Sequence, residues 1–228
     1  MKPLDLFLVN HVPFLKIIPR EQEVYMISHL FFDFDGVLHN TFDVHLQGLR
    51  DYSGKDLTEQ EYRDLHNGNF FNHNQGKLKD LDWLGYREYM RSHMAELTMG
   101  EQMKGAVESL GKKYSFAMVS SSGEKMLHAY LEKNKIQNLF QDILGAEFHH
   151  SKEEKFKYLF KKYEIDSSSV LFITDTLGDI LEANAVGMKT IAVTFGFHDR
   201  ETLAKGDPKA IVESPEELLE SVLALPSL

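Results

Sequence analysis

The sequence predicts an α/β fold, a doubly wound parallel sheet interrupted by a helical insertion, and three observations carry that expectation. Short apolar, β-branched or aromatic runs alternate with helical patterns over residues 27–40 and 106–228. The stretch between them, 41–105, is charged and helical, with no convincing strand. The 228 residues are 43% hydrophobic and 26% charged, enough to bury a substantial core as one large domain with a smaller insert.

Residues 1–26 come first and stand apart. Asp5, His11, Pro13 and Lys16 break their apolar runs, and nothing there approaches the ~20 apolar residues that span a bilayer. They read as a peripheral arm, or as a segment that docks on the body or on a second subunit, not as a targeting sequence. The first strand is His29–Phe34, and within the insertion Trp83 and Tyr86 to Met90 fall at helical spacing, as the core of a small helical unit does. Further strands are expected at Tyr114–Val119, Val170–Thr174 and Thr190–Val193, with a weaker one near Ala210–Val212. Over Glu153–Tyr163, Phe156, Leu159, Phe160 and Tyr163 recur at i, i+3, i+4 and i+7, one buried helical stripe. Strands and helices in this alternation imply right-handed crossovers between parallel strands. The chain closes with "SPEELLESVLAL", where Ser214 is an N-cap, Pro215 the first helical residue and Glu217 the third-position acid of a capping box.

A formal charge of −10 without a dense Lys/Arg block excludes a phosphate-tracking nucleic-acid surface. The absence of cysteine excludes disulfides, thiolate metal sites and a cysteine nucleophile, and fits a cytoplasmic protein with no membrane partner.

Open parallel sheets bind ligands at the carboxyl ends of their strands, so the chemistry is sought there. Asp33 and Asp35 follow the first strand, Ser120 to Ser122 the second, and Thr174, Asp175 and Asp179 the strand "VLFI". Any one of these acids has a plain alternative as a helix cap, but aspartate is disfavoured within a run such as "FFDFD". Asp33 and Asp35, two apart, can share a face, and Gly36 lets backbone amides approach a ligand. Four acids gathered in one crevice need a cation or a proton, and all-oxygen ligation selects Mg²⁺. Ser121 with Glu124, and Ser151 with Glu154, have capping-box spacing, so two helix N-termini would open toward an anion, with Lys152 adding a full charge. A carboxylate nucleophile, a second acid, a cation, a hydroxyl and a lysine at one sheet edge describe phosphoryl transfer.

At this point the sequence resembles the haloacid dehalogenase superfamily, in its phosphatase branch with a helical cap after the first strand. "DFDGV", "FAMVS", Lys152 and "DTLGD" match the four motifs in order, and "GMKTIAVTFGFHDRETL" is similar to phosphoglycolate-phosphatase-like members. The resemblance implies a Rossmann-like core with the insertion 41–105 as cap. It implies Asp33 as nucleophile and metal ligand, and Asp35 as general acid and base with its carbonyl on the metal. Ser120, the Ser121 backbone, Gly36 and Lys152 would hold phosphate; Asp175 would bind Mg²⁺, with Asp179 as a second or water-mediated ligand. Lys152 lacks the usual following proline, and Lys155 lies near enough to compete for its role. Thr174 stands where a glycine is frequent.

Similar dehalogenases and phosphonate hydrolases lack an acid at the position of Asp35, so the resemblance implies cleavage or transfer of a P–O bond, whose leaving alkoxide needs a proton. Specificity is expected from the turn-rich "HNGNFFNHNQG", with Phe70, Phe71, Asn72 and His73 facing substrate, although a solvated turn with two buried phenylalanines is the plainer reading. The expected activity is a Mg²⁺-dependent phosphatase acting on a small phosphorylated metabolite, as a monomer or homodimer. A phosphomutase of the same superfamily is one alternative, and a catalytically weak binding or regulatory protein another.

Overall fold

A computed structural model describes residues 26–71, 76–94 and 96–226. The anticipated N-terminal arm up to Tyr25, and Asn72 and His73 of the loop, lie outside the described residues. β1 (His29–Phe32) is followed by α1 (Phe42–Ser53), α2 (Glu59–Asp64), α3 (Trp83–Met94) and α4 (Glu101–Leu110). Then come β2 (Ser115–Val119), α5 (Glu124–Lys133), β3 (Phe140–Leu144), α6 (Lys152–Tyr163) and β4 (Val170–Thr174). α7 (Leu177–Ala185), β5 (Lys189–Val193), α8 (Arg200–Ala204), β6 (Ala210–Val212) and α9 (Pro215–Leu223) complete the chain.

The strands pair in parallel in the order β3-β2-β1-β4-β5-β6. That order reverses direction between β1 and β4, which opens a crevice beyond their carboxyl ends. The alternation of side chains along β1 splits the core into two layers. Leu30 and Phe32 join the larger apolar cluster, with Phe32 edge-on to Phe116 at 4.9 Å. Phe31 faces the other way, onto Phe156 and Phe160 of α6, so the stripe read from the sequence covers the second face. Burying each such ring contributes roughly 1.5–3 kcal/mol.

Four local expectations change. β3 was not foreseen: "FQDIL" carries Gln141 and Asp142, and only Phe140 and Leu144 are buried, the pattern of a sheet edge. Asp142 is accommodated there by Lys162 at 2.6 Å and the Tyr163 hydroxyl at 2.6 Å. Ser121 is not the cap of α5; Gly123 takes that position without a side-chain bond, and Glu124 instead accepts from the Gly145 amide. Ser151 and Ser214 do cap α6 and α9, but Glu217 reaches the Glu213 amide in place of its own cap residue. The boundary drawn at 105/106 falls inside α4, which turns Val107 and Leu110 into the larger core cluster and packs on α9.

Candidate active site

β1 ends one residue before Asp33, whose amide still donates to the Ile173 carbonyl at 2.9 Å and so holds it against β4. Its Oδ1 accepts from the Phe34 amide at 2.7 Å, and its Oδ2 lies 2.8 Å from the Lys152 amine. Lys152, the first residue of α6, also meets Asp179 Oδ2 at 2.6 Å. A buried lysine is tolerated because two carboxylates compensate it. Burial by itself would lower the amine, but Asp179 and Asp33 outweigh it and hold Lys152 above its ordinary range. Burial raises Asp33 well above the usual carboxylate range, against Lys152 and with Asp179 and Asp175 adding to it. Asp179 goes the other way: burial is outweighed by Lys152 and by hydrogen bonds from Asp33, Lys152 and Thr174.

Thr174, where the related motif carries glycine, donates its hydroxyl to Asp179 Oδ2 at 2.6 Å, so the departure fixes an acid in place. Lys155 is also fully buried, but its amine donates to the Ser120 carbonyl at 2.5 Å. Burial, and then Lys152, bring Lys155 down to about 7. Lys152 thus meets the acids, and Lys155 meets the loop after β2.

Asp35 is gripped from three sides. Thr41 donates to Oδ1 at 2.6 Å, His45 Nε2 lies 3.0 Å from the same oxygen, and Ser122 donates to Oδ2 at 2.6 Å. Thr41 precedes α1 but gives that helix no side-chain cap, an omission worth about 1 kcal/mol of helix stability, and its hydroxyl goes to Asp35 instead. His45 is oriented in turn by the Tyr86 hydroxyl at 2.9 Å from Nδ1. Burial pushes Asp35 up, but His45, Ser122 and Thr41 together prevail and bring it down to about 2. In this state Asp35 is an anion.

Asp175 follows β4, and its Oδ2 accepts from the Phe197 amide at 2.7 Å. A Cβ on Gly36 would sit 1.7 Å from that oxygen, and Gly36 has φ +72°, so glycine is required there twice over. The Gly36 amide, foreseen as a phosphate donor, is engaged by the His39 carbonyl at 2.8 Å. Asp175 Oδ1 is buried without a partner among the described residues, and burial foremost raises this carboxyl to about 8. Among the described residues no three acidic or histidine side chains form a ready-made cage. The donor chemistry still fits a hard cation: an orphaned carboxylate oxygen, with Asp33 and Asp179 close enough to shift one another.

Ser120 is fully buried and its hydroxyl accepts from the Ser122 amide at 3.0 Å, which shapes the turn; Ser121 stands beside it on the wall of a cavity. That cavity, of about 630 Å³, extends from Asp35 into the helices of the insertion. Phe70 and Phe71 of the loop line it. Trp83, Tyr86 and Met90, read from the sequence as packing alone, line it too.

The insertion is fastened to the α/β body by groups whose sequence spacing carries no sign of the contact. Glu182 Oε1 accepts from the Lys152 amide at 2.9 Å, Ser151 Oγ at 3.2 Å and Asn69 Nδ2 at 2.9 Å. Phe71 stacks on His150 at 4.1 Å. The Gly178 amide, in the first turn of α7, donates to the His66 carbonyl at 2.9 Å, and a Cβ at Gly178 would collide with Gly68 O at 2.3 Å. His198 joins the same seam: its Nδ1 accepts from the Leu177 amide, so Nε2 carries the proton donated to Arg63 O at 3.0 Å.

His66 sits between Phe70 and Phe197, and burial, then His198, lowers it from 6.5 to about 3. The unfolded chain takes up this proton below about 6.5, so the stability His66 contributes is complete above that pH and is lost toward 3. Melts from about pH 7.5 down to about 4.5 should lose less Tm in His66→Phe than in wild type. Equal slopes would show that His66 does not titrate with folding.

Three comparisons bear on these residues. A family model described as haloacid dehalogenase-like hydrolase matches residues 30–193. The phosphoglycolate phosphatase of Vibrio parahaemolyticus is 28% identical over 112 residues, 48% of this chain and 49% of that protein. That of Synechococcus elongatus is 28% identical over 108 residues, 47% of this chain and 51% of that one. The chain thus spans about half the length of the curated relatives it matches. Two solved structures share the fold: a predicted phosphatase from Clostridium acetobutylicum (TM-score 0.74, 21% identity, 88% of this chain, 100% of that one) and CbbY from Rhodobacter sphaeroides in complex with phosphate (TM-score 0.65, 18% identity, 85% and 96%).

Proposed function

Because this chain belongs to the haloacid dehalogenase-like hydrolases, we propose that it is a phosphatase that hydrolyses a small phosphomonoester through an aspartyl-phosphate on Asp33. The observation that carries the reading is the Lys152 amine 2.8 Å from Asp33 Oδ2 at the carboxyl end of β1, with Asp35 two residues further on. The carboxylate of Asp33 attacks phosphorus; the P–O bond to the alcohol breaks, and Asp35 gives its proton to the leaving oxygen. Asp35 then takes a proton from water as that water attacks the acyl phosphate, which releases phosphate and restores Asp33.

Lys152, the Ser120 hydroxyl and the Ser121 backbone are assigned to the phosphate oxygens. Asp33, Asp175 and the Asp35 carbonyl would hold Mg²⁺, with Asp179 as a further or water-mediated ligand. The ion supplies positive charge to the phosphoryl oxygens. Residues 41–105 are assigned as a cap whose seam with the core runs through Glu182, Asn69 and Gly178.

Asp35 must hold a proton to act as an acid, yet three donors keep it ionised here. Asp35 would therefore take up its proton in the substrate complex, where the negative charge of the phosphate favours the neutral acid. A mutase would need a wall that holds a sugar's hydroxyls, whereas Phe70, Phe71, Trp83, Met90, Met94 and Phe197 make much of this cavity apolar. A purely regulatory role leaves the buried, cross-compensated Asp33–Lys152–Asp179 set unexplained.

Purified protein should release phosphate from p-nitrophenyl phosphate with MgCl₂ and lose that activity in excess EDTA, with recovery on adding Mg²⁺. Asp35→Asn should lower kcat by about 10²–10⁴ for an ester of a poorly acidic alcohol, and by less for p-nitrophenyl phosphate, whose leaving group needs no proton. Equal losses on both esters would remove the acid role from Asp35.

A further inference from the structure

Resting on the phosphatase reading above, we propose that the substrate's leaving group is a planar aromatic or heteroaromatic moiety bearing one acidic or acceptor substituent. The curated relatives are named for a two-carbon substrate, and the cavity here is built for something else. An ester whose phosphorus faces Asp33 and whose leaving oxygen faces Asp35 must send its alcohol portion into the 630 Å³ space that begins at Asp35. That volume belongs to the range of pockets that enclose drug-sized ligands.

The walls define the shape and polarity of the occupant. Tyr62, Phe70, Trp83, Tyr86 and Phe197 present aromatic surface, and Met90 and Met94 add thioethers that adapt to flat rings. Tyr62, Tyr86, Met90, Met94 and Phe197 are buried, whereas the charged lining residues Asp82, Glu88, Lys125 and Glu147 are exposed. The deep part of the space therefore offers mostly ring faces and thioethers, with the hydroxyls of Tyr62 and Tyr86 among them and Asp35, His45, Ser121 and Ser122 at the catalytic end.

Arg87 lines the cavity and makes no salt bridge among the described residues, and its Nε is closed off from solvent without a partner there. Arg87 lies beside Gly123, near the loop that carries Ser122, so a group extending across the cavity from Asp35 can meet it. A guanidinium on the cavity wall without a carboxylate partner calls for an acceptor, best an anionic one. This sets one charged or accepting substituent on an otherwise apolar ring.

The test uses four esters of primary alcohols: 2-phosphoglycolate, ethyl phosphate, benzyl phosphate and 4-carboxybenzyl phosphate. Trp83 is the only tryptophan in the chain and lines the cavity, so its emission reports occupancy. With Mg²⁺ present, Asp33→Asn should bind both benzyl esters at least about tenfold more tightly than ethyl phosphate or 2-phosphoglycolate, with a change in Trp83 emission. Wild-type kcat/KM should follow the same order. Arg87→Met should abolish the preference for the carboxylated over the plain benzyl ester and leave plain benzyl phosphate within about twofold. Tighter or equal binding of 2-phosphoglycolate or ethyl phosphate overturns the inference, as does an Arg87→Met protein that keeps the carboxylate preference. If the binding order holds but wild type with Mg²⁺ releases phosphate from none of the four, the phosphatase reading fails and the ligand class stands.

Discussion

Asp33→Asn should abolish phosphate release, by about 10⁴-fold or more, without weakening the folded protein. An amide cannot form the aspartyl-phosphate, but its oxygen can still accept from the Phe34 amide. The stability half follows from the direction of the proton equilibrium. Burial raises the Asp33 carboxyl well above its unfolded value, so the stability linked to its protonated form is present at low pH and lost as pH rises through the folded pKa. At neutral pH the wild-type protein therefore bears a penalty that asparagine removes, while Lys152 retains Asp179 as a partner. Thermal melts at about pH 5 and 8, beside kcat on p-nitrophenyl phosphate, check both halves. Activity within tenfold of wild type would move the nucleophile elsewhere.

The second large effect is expected at Lys152, with Lys155 as its internal control. Lys152→Met should cost about 10²–10³ in kcat, because a preorganised charge is removed from the phosphoryl oxygens. It should also cost about 3 kcal/mol of stability, since Asp33 and Asp179 are left facing each other in a buried site. That figure is the lower end of the range for a broken buried pair, because Asp33 can take up a proton. Lys155→Met should lower kcat by less than about tenfold, since its amine meets a backbone carbonyl. Its folded pKa of about 7 is depressed from 10.5, so wild-type stability gains from this group as pH rises across that interval, and Lys155→Met loses that gain. Denaturant melts across that pH range and kcat at neutral pH separate the two lysines. If Lys155→Met proves the more damaging to turnover, the phosphate-binding lysine is Lys155.

Much of the candidate site is legible in the sequence because it is written in local chemistry. An aspartate inside "FFDFD" has no structural reason to be there, a serine ends a buried strand, and a lysine occupies the first turn of a helix where charge alone argues against it. Each such anomaly is a one-residue signal, and the parallel alternation of strands gathers them at one edge. The spacing also supplied the face of α6, since a 3.6-residue period needs no knowledge of partners. Ser121 misled because capping-box spacing is short and common, and the Ser122 amide and hydroxyl were drawn instead to Ser120 and Asp35. β3 escaped because an edge strand is excused from the apolar pattern that marks central strands.

The sequence by itself determined the alternation of helices with every strand but β3, and the acids and the lysine, because those follow from periodicity and from residues that violate it. Only the tertiary structure decided which lysine meets the acids, that Thr41, His45 and Ser122 hold Asp35 as an anion, and that Glu182 ties Asn69 to the start of α6. It alone turned Trp83, Tyr86 and Met90 from helix packing into the wall of a cavity. Those partners stand far apart along the chain, and their meeting is fixed by how whole layers pack, a quantity no short window of residues contains.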